Sequence, residues 1–271
     1  MNPGFRVIDS GPQTASLNMA TDEAILVGFI NGVSPPTLRF YSFSPSAITI
    51  GRFQKPSDQL LSEAVNYGLS VVRRPTGGRA VVHNGDLTYS VVAGTDDLLF
   101  GGSTIETYRK ISERLVHAFK DLGADVSAES NPGGKYEKSA SCFDSTVTHE
   151  LRFSREKIAG GAQVRQSGAF LQQGSIVLVE PEYDFERLFG RGSKTPAGLS
   201  SLLVKRVSYE EVRGAIQNSF GCAIRADTLN EFELARREEL LLKYESSRWN
   251  DFGKSASSQR AYESFSGQIR C

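Results

Sequence analysis

Residues 73–83 read R-R-P-T-G-G-R-A-V-V-H and overlap the end of a short β-rich segment, S-V-V-R-R (70–74). Adjacent glycines after a strand, Gly77 and Gly78, let the backbone pass close to a ligand and offer exposed N–H groups. A flanking arginine such as Arg73 can hold a carboxylate or phosphate. The same residues suit a plain turn with solvated charges, and the pattern is neither a Walker loop nor a dinucleotide fingerprint. The stretch predicts a substrate-binding loop or a simple turn, with His83 close enough to line a site.

Short β-rich segments surround this Gly-rich loop on both sides. Before it lie T-L-R-F-Y (37–41) and A-I-T-I-G (47–51), and after it lies L-T-Y-S-V-V (87–92). Residues 150–179 resemble a β-meander with a turn at Ser167–Gly168. Pro, Ser and Gly punctuate these segments, as is typical of strands joined by turns.

Helices lie between the strands without regular alternation. Apolar residues recur at helical steps over 16–30, with Asp22 and Glu23 on the expected polar side. Capping boxes at 103–106 and 208–211 predict helices that end near Gly123 and Gly221. A fourth helix is expected over 231–244. Mixed order of this kind predicts an α+β fold, with helices packed on a mainly antiparallel or mixed sheet.

The size and composition of the chain set the domain organisation. We expect one catalytic domain over residues 1–250, followed by a polar tail over 251–271 with little to bury. Lys+Arg and Asp+Glu both number 31, so the basic excess of a general nucleic-acid binder is missing. Three cysteines do not suggest a disulfide scaffold, and neither a secretory signal nor an apolar run of spanning length is present. The interpretation is a cytoplasmic protein that binds neither membrane nor nucleic acid.

Two further segments carry candidate chemistry. Lys157 opens K-I-A-G-G-A-Q, where Gly160 suits a substrate crossing the backbone, although surface lysines at strand ends are common. Cys142 lies in S-A-S-C-F-D-S, and a nearby ammonium would raise its thiolate fraction. Lys157 comes fifteen residues later and would approach Cys142 if the intervening chain forms a hairpin. A buried structural cysteine or a pair with His149 are the alternatives, and no Cys/His spacing indicates a metal site.

Taken together, these segments resemble the lipoate–protein ligase, biotin ligase and octanoyltransferase superfamily. The matching motifs, in chain order, are V-I-D-S-G (7–11), N-M-A-T-D-E-A (18–24), R-F-Y (39–41), R-R-P-T-G-G-R-A-V-V-H (73–83), K-I-A-G-G-A-Q (157–163) and L-Q-Q-G-S-I (171–176). Their order is kept from about residue 7 to residue 249, nearly the whole chain. The resemblance implies the catalytic-domain fold of that superfamily.

S-C-F-D-S with a lysine fifteen residues downstream is similar to the LipM-type octanoyltransferases. This resemblance implies that Cys142 carries octanoyl as a thioester and that Lys157 lowers the pKa of its thiol. It also implies Arg73, Gly77, Gly78, His83 and Gly160 as substrate-binding residues, with an apolar channel for the acyl tail below the Gly-rich loop. The implied donor is octanoyl–acyl carrier protein, the implied acceptor is a lipoyl-domain lysine, first that of the glycine cleavage H protein, and the enzyme is expected to be a monomer without a cofactor.

Some positions depart from the superfamily pattern. Gln173 stands where a histidine is usual, and Asn84 and Gly85 stand where an aspartate often follows the histidine. Three alternatives therefore remain at this point: an ATP-dependent lipoate ligase, an amidotransferase that moves octanoyl between lipoyl domains, and a non-catalytic binder. An acidic carrier also suggests that Arg73, Arg74 and Arg79 assist docking.

Overall fold

A computed structural model describes residues 4–124, 126–129, 150–153, 156–221 and 224–250. The described strands are β1 (Phe5–Gln13), β2 (Thr37–Phe43), β3 (Ala47–Ile50), β4 (Ser70–Arg73), β5 (Val81–His83), β6 (Asp86–Gly94), β7 (Val126–Glu129), β8 (Glu150–Phe153), β9 (Glu156–Gln166), β10 (Ala169–Val177) and β11 (Ile224–Ala226). The described helices are α1 (Ala15–Ile30), α2 (Asp58–Asn66), α3 (Thr104–Asp121), α4 (Phe185–Phe189), α5 (Leu199–Leu202), α6 (Tyr209–Ser219) and α7 (Glu231–Glu245).

The strands form two sheets. The larger has the order β11-β1-β2-β6-β10-β9-β8-β7, and the smaller has the order β4-β3-β5. Parallel pairs join β1 to β11, β1 to β2 and β3 to β4, while the other pairs are antiparallel. The prediction of an α+β fold with helices on a mainly antiparallel or mixed sheet is confirmed.

Apolar side chains on the two faces of the large sheet hold different helices. Phe5, Phe40 and Tyr89 on one face share a core with Ile111 and Leu115 of α3 and with residues of α6. The opposite face packs Val92 and Leu171 against Ile25 and Leu26 of α1. Successive side chains of a strand point to opposite faces of the sheet. Because helices cover both faces here, apolar residues stand at successive positions of the strands.

The long helices begin where their sequence signals indicate. Ser103 and Glu106 form a capping box at the start of α3, and Ser208 and Glu211 form one at the start of α6. The predicted helices over 16–30 and 231–244 correspond to α1 and α7. The turn at Ser167–Gly168 joins β9 to β10, as expected.

The prediction that Asp22 lies on the polar side of α1 is wrong. Helix α1 lies between the large sheet and α7, and Asp22 is fully buried there. The burial is stable because Arg39 forms an ion pair with the carboxylate, whose oxygens also accept hydrogen bonds. The single domain over 1–250 stays a prediction, and the tail over 251–271 lies outside the described residues.

Candidate functional site

A cleft opens between the two sheets, next to the Gly-rich loop. The empty space within it, open solvent included, is about 370 Å³. Its wall is formed by Met19, Tyr41, Phe43, Thr49, Arg74, Val81, His83, Thr88, Gly160, Gly161, Ala162, Gln173, Gly174 and Ser175. The structure therefore brings His83 of one sequence motif and Gly160 of another into a single cleft.

Arg74 fixes the shape of the Gly-rich loop. Its guanidinium donates to the carbonyl of Gly77 through Nε at 3.0 Å and Nη2 at 2.6 Å, and to the carbonyl of Arg79 at 2.8 Å. Gly78 has a φ of +83°, and a Cβ there would lie 2.7 Å from Arg74 Nη2. A glycine is therefore needed at Gly78 both for its backbone conformation and for the closeness of the arginine.

Arg73 holds the turn after β3 and is not part of the cleft wall. Its Nη1 donates to the carbonyls of Gly51, Arg52 and Gln54 at 3.0, 2.9 and 2.8 Å. The side chain is buried, and its Nε donates to the carbonyl of Trp249 at 3.3 Å. Contact between Arg73 and a substrate stays a prediction.

His83 is held on three sides at the end of β5. Its Nδ1 is 2.7 Å from Asp86 Oδ2, its Nε2 is 2.9 Å from Thr49 Oγ1, and its ring stacks on Phe43 with centroids 3.8 Å apart. In the superfamily pattern an aspartate often follows this histidine directly. Here the aspartate that contacts the ring is Asp86, three residues later and beyond the turn at Gly85. Contact between His83 and a substrate stays a prediction.

The carboxyl of Asp86 is the centre of this cluster. Besides His83 it accepts hydrogen bonds from Thr88 Oγ1 at 2.9 Å and Ser175 Oγ at 2.8 Å. Burial alone would raise the pKa of Asp86, but the neighbouring His83 ring and the hydrogen bonds outweigh burial and hold that pKa below its usual value. Asp86 is therefore a carboxylate at neutral pH and orients the His83 ring.

A second buried cluster crosses the cleft wall at Gln173. Its Nε2 donates to Asp22 Oδ2 at 2.7 Å, and its Oε1 accepts from Thr76 Oγ1 at 2.7 Å. Asp22 also accepts from Tyr41 and from Ser90 and pairs with Arg39. The departure from histidine at Gln173 therefore has a structural role, because its amide joins α1 to the Gly-rich loop.

Lys157 and Gly160 lie on β9, which borders the cleft. Lys157 is buried, and it pairs in register with Arg152 next to a one-residue shift in the β8–β9 ladder. Such bulges re-aim side chains and are common beside active sites. Gly160 pairs with Ser175, whose hydroxyl contacts Asp86.

Gly161 is required by what lies below the strand. A Cβ at Gly161 would lie 2.6 Å from Tyr108 Oη, and its register partner Gly174 would bring a Cβ to 2.3 Å from the Tyr89 ring. Gly161 therefore leaves room for Tyr108 of α3, and Gly174 leaves room for the ring of its cross-strand neighbour Tyr89 on β6. Both glycines also line the cleft, so a substrate crossing the backbone at Gly160 stays a prediction.

Cys142 and His149 lie outside the described residues. The hairpin expected between the cysteine and the lysine is present in its described part, since β8 runs antiparallel to β9. A meeting of the Cys142 thiol with Lys157 stays a prediction. Within the described ranges, no three His, Cys, Asp or Glu side chains are grouped to hold a metal ion.

A model of the lipoyl protein ligase A/B catalytic domain matches residues 14–221. The chain belongs to the lipoyl protein ligase A/B catalytic domain family. It is 37% identical to the octanoyltransferase LipM of Halalkalibacterium halodurans over 91% of this chain and 98% of that protein. It is 35% identical to the octanoyltransferase LipM of Bacillus subtilis over 91% of this chain and 97% of that protein.

Solved structures of the family share the fold. A putative lipoate protein ligase of T. acidophilum with bound lipoic acid superposes with a TM-score of 0.73 at 27% identity, covering 92% of this chain and 99% of that one. A lipoate-protein ligase A bound with ATP superposes with a TM-score of 0.72 at 26% identity, covering 92% and 98%.

These relatives make the chain an acyltransferase of protein lipoylation, and the alternative of a non-catalytic binder loses its support. Among the helices of the described ranges, none has the length and apolar character that crossing a bilayer requires. Sequence reasoning missed three residues of the site, Asp22, Arg39 and Asp86. Asp22 and Arg39 lay within the motifs at 18–24 and 39–41 but were given no role there, and Asp86 was an aspartate soon after His83.

Proposed function

We propose that this chain is an octanoyltransferase that moves octanoyl from acyl carrier protein to a lysine of a lipoyl domain through a thioester on Cys142. The observation that carries the proposal is the cleft, where Met19, Phe43 and Val81 face the backbone that begins at Gly160. That backbone starts three residues after Lys157. Similarity to octanoyltransferases over nine tenths of the chain supports octanoyl as the acyl group.

The cleft suits an unbranched alkyl tail. Its polar side chains satisfy one another, since both ring nitrogens of His83 and both amide atoms of Gln173 have protein partners. Tyr41 likewise donates its hydroxyl to Asp22 and leaves its ring for apolar contact. Each methylene buried against such a wall stabilises binding by about 0.8 kcal/mol.

The first step transfers octanoyl to the enzyme. The Cys142 thiolate attacks the thioester carbonyl, a new C–S bond forms, and the C–S bond to the carrier breaks. The carrier leaves as a thiolate and takes up a proton. An ammonium on Lys157 close to Cys142 would favour the attacking thiolate, because a free thiol with a pKa of about 8.5 is mostly protonated at neutral pH.

The second step forms the amide. The neutral amine of the acceptor lysine attacks the thioester on Cys142, the C–S bond breaks, and the amine loses a proton as the amide forms. Because a thioester is converted to an amide, the transfer proceeds without ATP. Backbone N–H groups at Gly77, Gly78 and Gly160 are the candidate oxyanion donors, each worth roughly 3–4 kcal/mol in the transition state.

The test is the intact mass of the chain after mixing with octanoyl–acyl carrier protein in the absence of ATP. We expect a gain of one octanoyl group that hydroxylamine removes, and no gain in Cys142→Ala with an unchanged circular dichroism spectrum. A stable adduct in the folded Cys142→Ala variant would contradict the covalent role of Cys142. Cys222→Ser serves as the matched thiol control and is expected to acylate normally.

Two neighbouring activities are separated by the choice of donor. Solved structures similar to this chain include ligases with lipoic acid or ATP bound, so a chain without octanoyl gain is next mixed with lipoate, ATP and magnesium. An amidotransferase would instead prefer an octanoylated H protein over octanoyl–acyl carrier protein when both donors compete. The proposal favours the carrier as donor and the glycine cleavage H protein as first acceptor, in a cytoplasmic enzyme that acts as a monomer.

A further inference from the structure

The turn after β3 exposes an aromatic ring between two cations. Phe53 is 87% exposed, and Arg52 and Lys55 on either side of it are exposed as well. A large apolar side chain in water contributes nothing to the core. Aromatic residues and arginines are the types enriched where proteins bind one another.

This turn is held rigidly from below. Arg73 Nη1 donates to the carbonyls of Gly51, Arg52 and Gln54, and the amide of Gln54 donates to the carbonyl of Gly51 at 3.0 Å. The exposure of Phe53 is therefore a property of a fixed turn. A preorganised surface loses little conformational entropy when a partner binds.

The same turn adjoins the cleft. The amide of Arg52 donates to the carbonyl of Thr76 at 2.8 Å, and Thr76 Oγ1 donates to Gln173 in the cleft wall. Gly51 packs so closely against the Gly-rich loop that a Cβ there would lie 1.9 Å from the carbonyl oxygen of Gly78. A protein seated on the turn is therefore one loop away from the cleft wall.

Positive charge surrounds the turn. Arg52 Cζ lies 5.9 Å from the centroid of the Trp249 ring, and Lys243 Nζ lies 3.9 Å from the same ring. Arg248 is exposed next to Trp249. Glu23 pairs with Lys243 at 2.6 Å, and the exposed Asp58 and Glu245 follow Lys55 and Lys243 by three and two residues. We call the surface formed by Arg52, Phe53, Lys55, Lys243, Arg248 and Trp249 the basic aromatic patch.

We infer that the basic aromatic patch docks the acidic surface of the acyl carrier protein, with Phe53 as the apolar anchor. The inference rests on the proposed function, because that function makes an acidic carrier the donor. Arg73, Arg74 and Arg79, which the sequence suggested for docking, are buried. Arg73 and Arg74 donate to backbone carbonyls. The exposed cations of the patch take over that role.

Charge also distinguishes the carrier from the chain's own C-terminal residues. Residues 251–271 contain two acidic and three basic side chains, which are Asp251, Glu263, Lys254, Arg260 and Arg270. A segment of that composition lacks the excess negative charge that would attract it to a basic surface. An acidic protein partner does, and its attraction to the patch is screened by salt.

The experiment compares two donors of the same acyl group. Acyl-enzyme formation is followed by intact mass with octanoyl–acyl carrier protein and with octanoyl-pantetheine, which has the thioester but no carrier protein. For Arg52→Glu/Lys55→Glu we expect kcat/KM with the carrier to fall at least about tenfold through KM, and its salt dependence to weaken. With octanoyl-pantetheine, the rate stays within about twofold of wild type because the cleft is unaltered.

Matched variants separate the patch from general surface effects. Phe53→Ser is expected to slow the carrier reaction about tenfold, whereas Leu98→Ser, at another exposed apolar residue, is expected to leave it unchanged. Arg206→Glu, an exposed charge before α6 on the other face of the large sheet, controls for net charge. Thermal unfolding of each variant is measured alongside.

Three results would overturn the inference. The first is an unchanged carrier reaction in Arg52→Glu/Lys55→Glu, and the second is an equal loss with both donors. The third is a loss confined to transfer from the acyl-enzyme to the lipoyl domain, which would assign the patch to the acceptor. A wild-type chain that takes no octanoyl from the carrier, yet acylates from octanoyl-pantetheine, would instead overturn the proposed donor and this inference with it.

Discussion

His83 of the cleft wall is held by the buried carboxylate of Asp86, and the electrostatics of this pair can be tested by pH. The pKa of the Asp86 carboxyl is lowered in the folded chain, so the carboxylate stabilises the fold above its unfolded pKa of about 3.9. This contribution is lost as the pH falls through the lower, folded value. The pair therefore stabilises the structure throughout the neutral range.

We expect Asp86→Asn to lower the free energy of unfolding by about 2 kcal/mol at pH 7, because a charged acceptor of three hydrogen bonds is lost. The difference from wild type should shrink below pH about 4, because the unfolded chain then takes up a proton at Asp86 while the folded chain still holds the carboxylate. Urea unfolding at a series of pH values measures both curves. A difference that stays constant down to pH about 3 would show that the charge has no part in it.

Lys157 offers a second test at the level of one residue. If its ammonium favours the Cys142 thiolate, Lys157→Ala should slow acylation at pH 7 by about tenfold or more and recover above pH about 8.5, as the thiol ionises unaided. The measurement is the single-turnover acylation rate against pH. Lys157→Arg keeps a positive charge and is expected to retain a lower pH optimum than the alanine variant. Identical pH profiles for wild type and Lys157→Ala would mean that the lysine acts in another way.

At the scale of elements, the contact between the turn after β3 and the Gly-rich loop leaves no room for a side chain at Gly51. A Cβ there would lie 1.9 Å from Gly78 O and 2.8 Å from Gly78 C, and both are backbone atoms that move only with the loop. We expect Gly51→Ala to lower the free energy of unfolding by about 1–3 kcal/mol. The measurement is urea unfolding followed by circular dichroism.

Gly214 in α6 provides the matched control. Nothing lies within 4 Å of a Cβ at this position, and alanine favours a helix over glycine. Gly214→Ala should therefore raise the free energy of unfolding by about 0.5–1 kcal/mol. Equal effects of the two substitutions would contradict the close contact at Gly51.

Elements with strong local signals were predictable from sequence. The capping boxes that begin α3 and α6 act within one turn of helix, so no tertiary information is needed to recognise them. Helix α2 was not predicted from the sequence. It has nine residues, too few to be stable alone, and depends on packing Leu60, Leu61 and Ala64 against the small sheet.

The site was predictable to the same degree and for the same reason. The motifs placed His83 and Gly160 at the cleft because each is a contiguous stretch of sequence. Asp22 was misplaced on the polar side of α1, since its partner Arg39 lies on a strand and only the folded chain brings the two together. The parallel pairing of β1 with β11 spans more than two hundred residues and has no local pattern.

At the scale of the whole molecule, Glu233 links two segments that lie far apart in the sequence, α7 and β1. It is fully buried at the start of α7, forms an ion pair with Arg6 of β1 and accepts from Ser34 Oγ at 2.7 Å. Removing one partner of a buried pair leaves the other charge uncompensated. This contact ties α7 to β1, the strand next to the edge strand β11 of the large sheet.

We expect Glu233→Ala to lower the free energy of unfolding by about 3–5 kcal/mol, because Arg6 would remain buried without its counter-charge. Glu239→Ala removes an exposed partner of Arg236 on the same helix and should change stability by no more than about 0.5 kcal/mol. Urea unfolding of the two variants beside wild type measures the contrast. A small effect at Glu233 would show that Arg6 finds another counter-charge.

The pairing of β1 between β2 and β11 also has a consequence for how the protein is made. A nascent chain leaves the ribosome N-terminus first, so β1 must wait for nearly all of translation before its second neighbour emerges. Arg6 waits longer still, because Glu233 follows β11. Until then the first strand keeps an open hydrogen-bonding edge and a cation without its counter-charge. The large sheet is therefore completed only after β11 has emerged, and Arg6 gains its counter-charge only when the start of α7 follows.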